Sequence, residues 1–148
     1  DVERMRYAAA YLVGDHDFAG FRSAACTAAH ARRFLWRVAV QRDDRGIQVD
    51  VRGNAFCHHM VRIIVGTLTA VGRGKLRSDD IPTILAARCR ARAGPTAPAR
   101  GLTLQQVYYP DNLEQAKIPP DARFPRYPVS RETWPWPLDA IRIGPTLC

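Results

Sequence analysis

The stretch Asn54-Ala55-Phe56-Cys57-His58-His59-Met60-Val61-Arg62-Ile63-Ile64-Val65-Gly66-Thr67-Leu68-Thr69-Ala70-Val71-Gly72 decides the fold. Upstream of it the apolar residues recur with a period of two; from near Phe56 the period becomes 3.6, which predicts a helix running to Val71 and ended by Gly72 and Gly74. At about 100° per residue, Met60, Ile64, Thr67 and Val71 fall in a stripe roughly 60° wide, flanked by Ile63 and Leu68, and that stripe is expected to face the core. His58, Arg62 and Thr69 lie within roughly 40° of one another on the opposite side, with Gly66 beside them. A glycine inside a helix costs about 1 kcal/mol relative to alanine, so Gly66 is easier to explain if something must come close to that face.

Working back towards the N-terminus, Ile47, Val49 and Val51 alternate with Gln48, Asp50 and Arg52, while Phe34, Trp36, Val38 and Val40 alternate with Leu35, Arg37, Ala39 and Gln41. The connection Asp43-Asp44-Arg45-Gly46 is short and turn-rich, so the two segments read as an antiparallel hairpin with one wet face. His16 to Ser23 reads as a loop carrying Phe18 and Phe21, an aromatic pair of the kind that pins a loop to a core. Asp1 to Val13 reads as an amphipathic helix with Met5, Ala8, Ala9 and Leu12 at helical spacing, Asp1 as its cap and Gly14 as its stop.

Working forward, a third helix is expected from Ser78 as N-cap, with Asp79 and Asp80 in its first turn and Arg88, Arg90 and Arg92 near its end. Both sets of charges suit the macrodipole. Those arginines have two readings, as capping electrostatics and as a phosphate-facing patch. Gly94-Pro95-Thr96-Ala97-Pro98 is a rigid loop, Leu102 to Tyr109 a strand, and Pro110 its end. Seven of the 11 prolines lie between Pro119 and Pro145 without periodicity, so residues 111–148 read as an extended, irregular tail onto which Trp134 and Trp136 confer docking contacts. Helices and strands in this order give an α+β domain, with an antiparallel sheet and helices packed on one of its faces.

The chain has 148 residues, 47% hydrophobic and 24% charged, which excludes wholesale disorder and fits one domain or half of a larger one. No apolar run approaches the roughly 20 residues of a membrane span, and no basic-then-apolar leader opens the sequence, so a cytoplasmic protein is expected. It begins at Asp1 without an initiator methionine, as a truncated or a processed chain would. The net charge is +8, and all but two of the 22 basic residues are arginine. Residues 58–110 carry eight bases against two acids, and so hold most of the excess. Arginine's planar fork suits phosphates and base edges, which points to a nucleic-acid partner, although Arg-rich composition is the competing explanation.

Cys26, Cys57, Cys89 and Cys148 are far apart in sequence and read as reduced, mostly buried thiols. The pair His58-His59 lacks the further ligands at regular spacing that zinc requires, which argues against a metal. Arg62 is therefore the best chemical candidate: a permanent charge in mid-helix, one turn from Gly66 and one turn from His58. Taken alone, such an arginine is more often simply solvated.

These residues also resemble a known family. The segment Asn54 to Leu68, continued by Val71-Gly72-Arg73-Gly74-Lys75, resembles the C-terminal half of the TruA family of tRNA pseudouridine synthases. His16-Asp17-Phe18 with Phe21-Arg22, Ala93-Gly94-Pro95-Thr96-Ala97-Pro98, and Gly101-Leu102 with Tyr109-Pro110 match further blocks in the same order. The resemblance spans roughly residues 3 to 110 and implies a pseudouridine synthase-like half domain over residues 1–110, followed by the Pro-rich tail over 111–148. It implies isomerisation of uridine to pseudouridine in tRNA, in the anticodon arm, with no metal or organic cofactor, by a homodimer with a positively charged RNA-binding cleft.

In that family an aspartate attacks the nucleoside, and an arginine on the helix pairs with it; Arg62 matches that arginine. Phe21, Arg22, His58, Gly94, Thr96 and Leu102 are the residues the resemblance places near RNA or the pocket, Leu102 as an apolar contact to the flipped base. Loop packing is an equal reading for Phe21 and Arg22, and a structural role at the helix start is the favoured one for His58. The family's aspartate belongs to a G-R-T-D-A-G-V-H stretch that this sequence does not contain, and its catalytic tyrosine is missing too, so these 148 residues are not expected to complete an active site. Neither Asp15 nor Asp17 has the right context to replace it. Two other readings are a non-catalytic RNA-binding module derived from the same fold and a basic α+β interaction domain.

Overall fold

A computed structural model describes residues 1–107 and the backbone of Ile143–Leu147. The chain forms α1 (Val2–Ala10), β1 (Gly14–Asp17), β2 (Arg32–Asp43), β3 (Gly46–Gly53), α2 (Met60–Gly72), α3 (Asp80–Ala87), β4 (Leu102–Leu104) and β5 (Ile143–Leu147), with single turns of 3-10 helix at Ala19–Phe21, Arg90–Arg92 and Ala99–Gly101. The strands make one antiparallel sheet in the order β1-β2-β3-β5-β4. Helices α1 and α2 pack together, with α1 also against β2, and enclose a core shared with the sheet face that carries Leu35, Val38, Val40, Val49 and Val51. The architecture is thus α+β, with an antiparallel sheet.

The N-terminal elements follow their local signals. Asp1 caps α1 by accepting from the Arg4 amide at 3.1 Å, and Met5, Ala8, Ala9 and Leu12 are buried as their spacing requires. The β2–β3 turn closes on Asp43 and Gly46, where Gly46 takes a φ of 129° that favours glycine and the Asp43 carboxylate accepts from the Arg45 amide at 2.8 Å.

Two details of the sheet differ from the alternation in the sequence. The register slips between Leu35 and Arg37, which pair with Gly53 and Arg52, so Trp36 is an extra residue in a β-bulge. The bulge reverses the pattern upstream of it: Leu35 joins Val38 and Val40 in the core, while Phe34 and Trp36, expected beside those valines, stay half-exposed with ring centroids 6.5 Å apart. The second detail is β1. The expected loop from His16 begins within a strand, because Gly14 to Asp17 pair with Leu35 to Arg32 along the edge of the sheet. The tail expected over 111–148 lies outside the described residues except for Ile143–Leu147, whose backbone is extended but lies within the sheet, between β3 and β4. Tyr109, Pro110, Trp134, Trp136 and Cys148 lie outside the described residues.

Helix α2 starts four residues later than the expected Phe56, because His59, at φ 61°, turns the chain into it from the left-handed region. Its core stripe is buried as expected, but so are Val61, Val65, Gly66 and Ala70. Its second face is therefore covered as well, by another part of the chain. Helix α3 also begins later than its expected cap: Ser78 donates its hydroxyl to the Arg4 carbonyl at 3.0 Å and caps nothing in its own helix. At the other end Arg88 takes a φ of 53°, stops α3 at Ala87, and turns the chain back over α2.

Candidate functional site

The cover on α2 is the loop Gly94–Pro98, and it sits there because two glycines let backbone meet backbone. A Cβ on Gly66 would stand 1.7 Å from the Pro95 carbonyl oxygen and 2.8 Å from its carbon. A Cβ on Gly94 would stand 2.6 Å from the Thr67 Cα. The close approach expected at Gly66 is thus an approach by this chain's own loop. Hydrogen bonds lock the contact. The Gly94 amide donates to the Thr67 hydroxyl at 2.9 Å, and that hydroxyl donates to the Ile63 carbonyl at 2.8 Å. Thr67, expected only as a core residue, is fully buried and bridges helix and loop.

Arg62 and Ala97 exchange two further bonds. The Ala97 amide donates to the Arg62 carbonyl at 3.0 Å, and the Arg62 Nε donates to the Ala97 carbonyl at 2.7 Å. Arg62 is half-buried, and among the described residues its terminal nitrogens have no hydrogen-bond or ion-pair partner. A guanidinium held by its Nε and open at its far edge is prepared for a planar, bidentate acceptor such as a carboxylate.

Arg90 holds the loop from the other side, its Nη1 donating to the Gly94 carbonyl at 2.9 Å and its Nη2 to the Thr96 hydroxyl at 3.1 Å. The sequence offered Arg90 as a charge at the end of α3 or as part of a phosphate-facing patch. It lies instead in the turn beyond that helix, and both ends of its fork are occupied by the loop. The left-handed turn at Arg88, which redirects the chain, was not evident from residue type.

The structure thus brings Arg62, Gly94 and Thr96 together and places the other candidates around them in different states. His58 is exposed one turn before Arg62, stacked on His59 with ring centroids 3.8 Å apart, and its carbonyl accepts from the Ser23 amide at 3.0 Å. Burial, followed by the charges of His58 and Arg62, pushes the His59 pKa below the usual imidazole value. Leu102 opens β4 with an exposed apolar side chain. Arg22 donates to the Ala28 carbonyl at 3.3 Å and so ties its own loop.

Phe21 is a correction to the expected RNA contact. Its ring is fully buried, edge-on to Phe18 at 5.9 Å, which leaves no surface for RNA. The loop-packing reading of this aromatic pair is the one the burial supports.

Both aspartates of the His16 region have partners of their own. Asp15 accepts from Arg32 Nε and Nη2 at 3.0 and 2.9 Å, and Asp17 pairs with Arg88 at 3.1 Å while accepting from the Ala19 amide. Among the described residues no three His, Cys, Asp or Glu side chains gather as metal ligands, and no helix is long and apolar enough to cross a membrane. Cys26, Cys57 and Cys89 are free thiols, but only Cys57 is buried, against the expectation of mostly buried cysteines; burial raises its pKa.

The site is thus an arginine braced at the surface by its own loop, on a helix that backs an antiparallel sheet. A family model described as tRNA pseudouridine synthase matches residues 8–110, and the chain belongs to that family. The tRNA pseudouridine synthase A of Acetivibrio thermocellus is 49% identical over 109 residues, covering 74% of this chain and 45% of the relative. That of Geotalea uraniireducens is 47% identical over 109 residues, with the same coverages. That of Xylella fastidiosa strain M12 is 50% identical over 111 residues, covering 75% of this chain and 43% of the relative. The chain spans less than half the length of these curated relatives.

Proposed function

We propose that the complete protein carrying this chain isomerises uridine to pseudouridine in tRNA, within the anticodon arm, and that residues 1–110 supply the C-terminal half of its catalytic fold. In this reading the aspartate lies in the part of the relatives that this chain does not span. Arg62 presents its open edge to that carboxylate. A bidentate, charge-assisted pair holds an acid ionised and oriented, which is the state needed for attack on the nucleoside. The glycosidic bond to N1 breaks, the base turns in the pocket, and a bond to C5 replaces it; the C5 proton leaves and N1 ends protonated, so no cofactor or metal is consumed. The target must leave its stack to be reached, as in other enzymes that work on bases.

The observation that carries the reading is the geometry of Arg62, gripped through Nε at 2.7 Å and otherwise open among the described residues. His58, Gly94, Thr96 and Leu102 border the uridine pocket in this reading, and Arg22 lies on the RNA side. The concentration of eight bases against two acids over residues 58–110 supports tRNA as the partner, and the working form is read as a cytoplasmic homodimer. Residues 111–148 are read as an appendage to the catalytic half. The test is Arg62→Ala in the complete protein: pseudouridine formation is abolished while thermal unfolding is unchanged. Arg62→Lys also fails, because an ammonium cannot reproduce the fork. An active Arg62→Ala enzyme would refute the assignment.

A further inference from the structure

Arg62 has a long side chain, and a guanidinium left to its own rotamers samples many directions. Here its plane is set by one bond, from Nε to the Ala97 carbonyl, so whatever fixes Ala97 also fixes the open edge. Besides the Ala97 amide on the Arg62 carbonyl, three contacts do so. The first is the Gly66–Gly94 backbone approach, and the second is the Gly94 amide on the Thr67 hydroxyl. The third is Arg90, which spans the loop with its fork, one nitrogen on the Gly94 carbonyl and the other on the Thr96 hydroxyl. Pro95 and Pro98 bracket this segment and limit its backbone freedom. The half-buried position of Arg90 weakens competition from water for those acceptors.

We propose that Arg90 is a positioning residue for the isomerisation: by clamping Gly94 and Thr96 it fixes Ala97, and through Ala97 it orients the Arg62 guanidinium before the carboxylate and the tRNA arrive. The proposal rests on the reading of Arg62 as the carboxylate's partner. Arg90 itself touches neither substrate nor the reacting atoms, and both ends of its fork are directed inward to the loop. Preorganised donors of this kind need no rearrangement when charge is engaged, so their loss appears in the chemical step and not in substrate affinity.

The experiment uses the complete protein with Arg90→Ala, Arg90→Lys, Thr96→Val and Thr96→Ser, and two readouts. The first is solvent exchange of the Arg62 Nε–H, followed by 15N NMR and assigned by its disappearance in Arg62→Lys. The second is the kcat and KM for pseudouridine formation. Arg90→Ala and Arg90→Lys are expected to speed Nε–H exchange and lower kcat by roughly 10- to 100-fold, the range that one or two charge-assisted hydrogen bonds supply, with KM for tRNA little changed. Thr96→Val shows the same pattern more weakly, and Thr96→Ser, which keeps the hydroxyl, restores the Nε–H protection. Should Arg90→Ala fail to fold, the two Thr96 variants decide the matter.

The proposal is overturned if the Nε–H keeps its wild-type protection without the clamp, or if KM alone rises, which would make Arg90 a tRNA contact. A wild-type protein that forms no pseudouridine would refute the functional reading. The exchange readout would still decide whether Arg90 orients Arg62.

Discussion

Gly66→Ala is the sharpest test of the loop on α2, because two large effects oppose each other there. The new Cβ would lie 1.7 Å from the Pro95 oxygen, whereas carbon and oxygen ordinarily meet at about 3.3 Å or more, so the loop must retreat by about 1.5 Å. The helix cannot give way instead, since Ile63, Ile64 and Leu68 are locked in the core on its other side. A retreat of that size carries three hydrogen bonds, now at 2.7, 2.9 and 3.0 Å, beyond useful range: Arg62 Nε to Ala97, Gly94 to Thr67, and Ala97 to Arg62.

At roughly 0.5–1.5 kcal/mol each, their loss costs about 1.5–4.5 kcal/mol. Alanine returns about 1 kcal/mol through helix propensity. The balance is about 0.5–3.5 kcal/mol against the docked loop, or roughly 2- to 300-fold in its opening equilibrium. Hydrogen exchange at the Gly94 and Ala97 amides of the complete protein should accelerate by that factor, with pseudouridine formation falling in parallel. The global unfolding temperature changes little, because the loop opens locally while the core persists. Wild-type protection of both amides, or a stabilised variant with the loop still seated, would refute the reasoning.

Two other outcomes follow from buried or perturbed groups. Phe21→Ala should lower stability by about 3–5 kcal/mol, measured by urea unfolding, and leave the tRNA affinity of the folded protein intact; weakened binding at unchanged stability would mean that the ring meets RNA after all. His59 titrates below the usual imidazole range in the fold, so between its folded pKa and about 6.5 the unfolded chain binds the extra proton. Its contribution is present above about pH 6.5 and is lost as pH falls through that window; His59→Asn, which tolerates the left-handed φ of 61°, should flatten this part of the pH–stability curve, and an unchanged slope would exclude His59 as its source.

Much of this architecture could be read from local pattern. The hairpin was visible because period-two alternation flanks a turn with a glycine, and α2 because the period changes where the strands end. Gly66 marked a close approach because a mid-helix glycine is locally unfavourable. Other features could not be read this way. Strand β1 contains Gly14, two aspartates and a histidine, none of them a strong strand former, and it is a strand only because β2 offers it a partner edge. The bulge at Trp36 is equally invisible to alternation, since one extra residue leaves the composition untouched while exchanging the faces of Phe34 and Leu35.

The candidate site divides in the same way. Arg62 stood out by its place on a polar stripe and by the resemblance of the residues around it, whereas Thr67 and Arg90 were assigned to a core and to a helix end. What the sequence determined by itself was the set of elements and the face on which the charge would lie, because periodicity, capping and glycine placement act over a few neighbouring residues. Only the tertiary structure decided what that face meets. Arg62 and Ala97 are 35 residues apart in the chain, and they share two hydrogen bonds because the left-handed turn at Arg88 folds the loop back and two glycines let it reach α2. Contacts of that kind depend on how whole elements pack, and no local pattern encodes the partner.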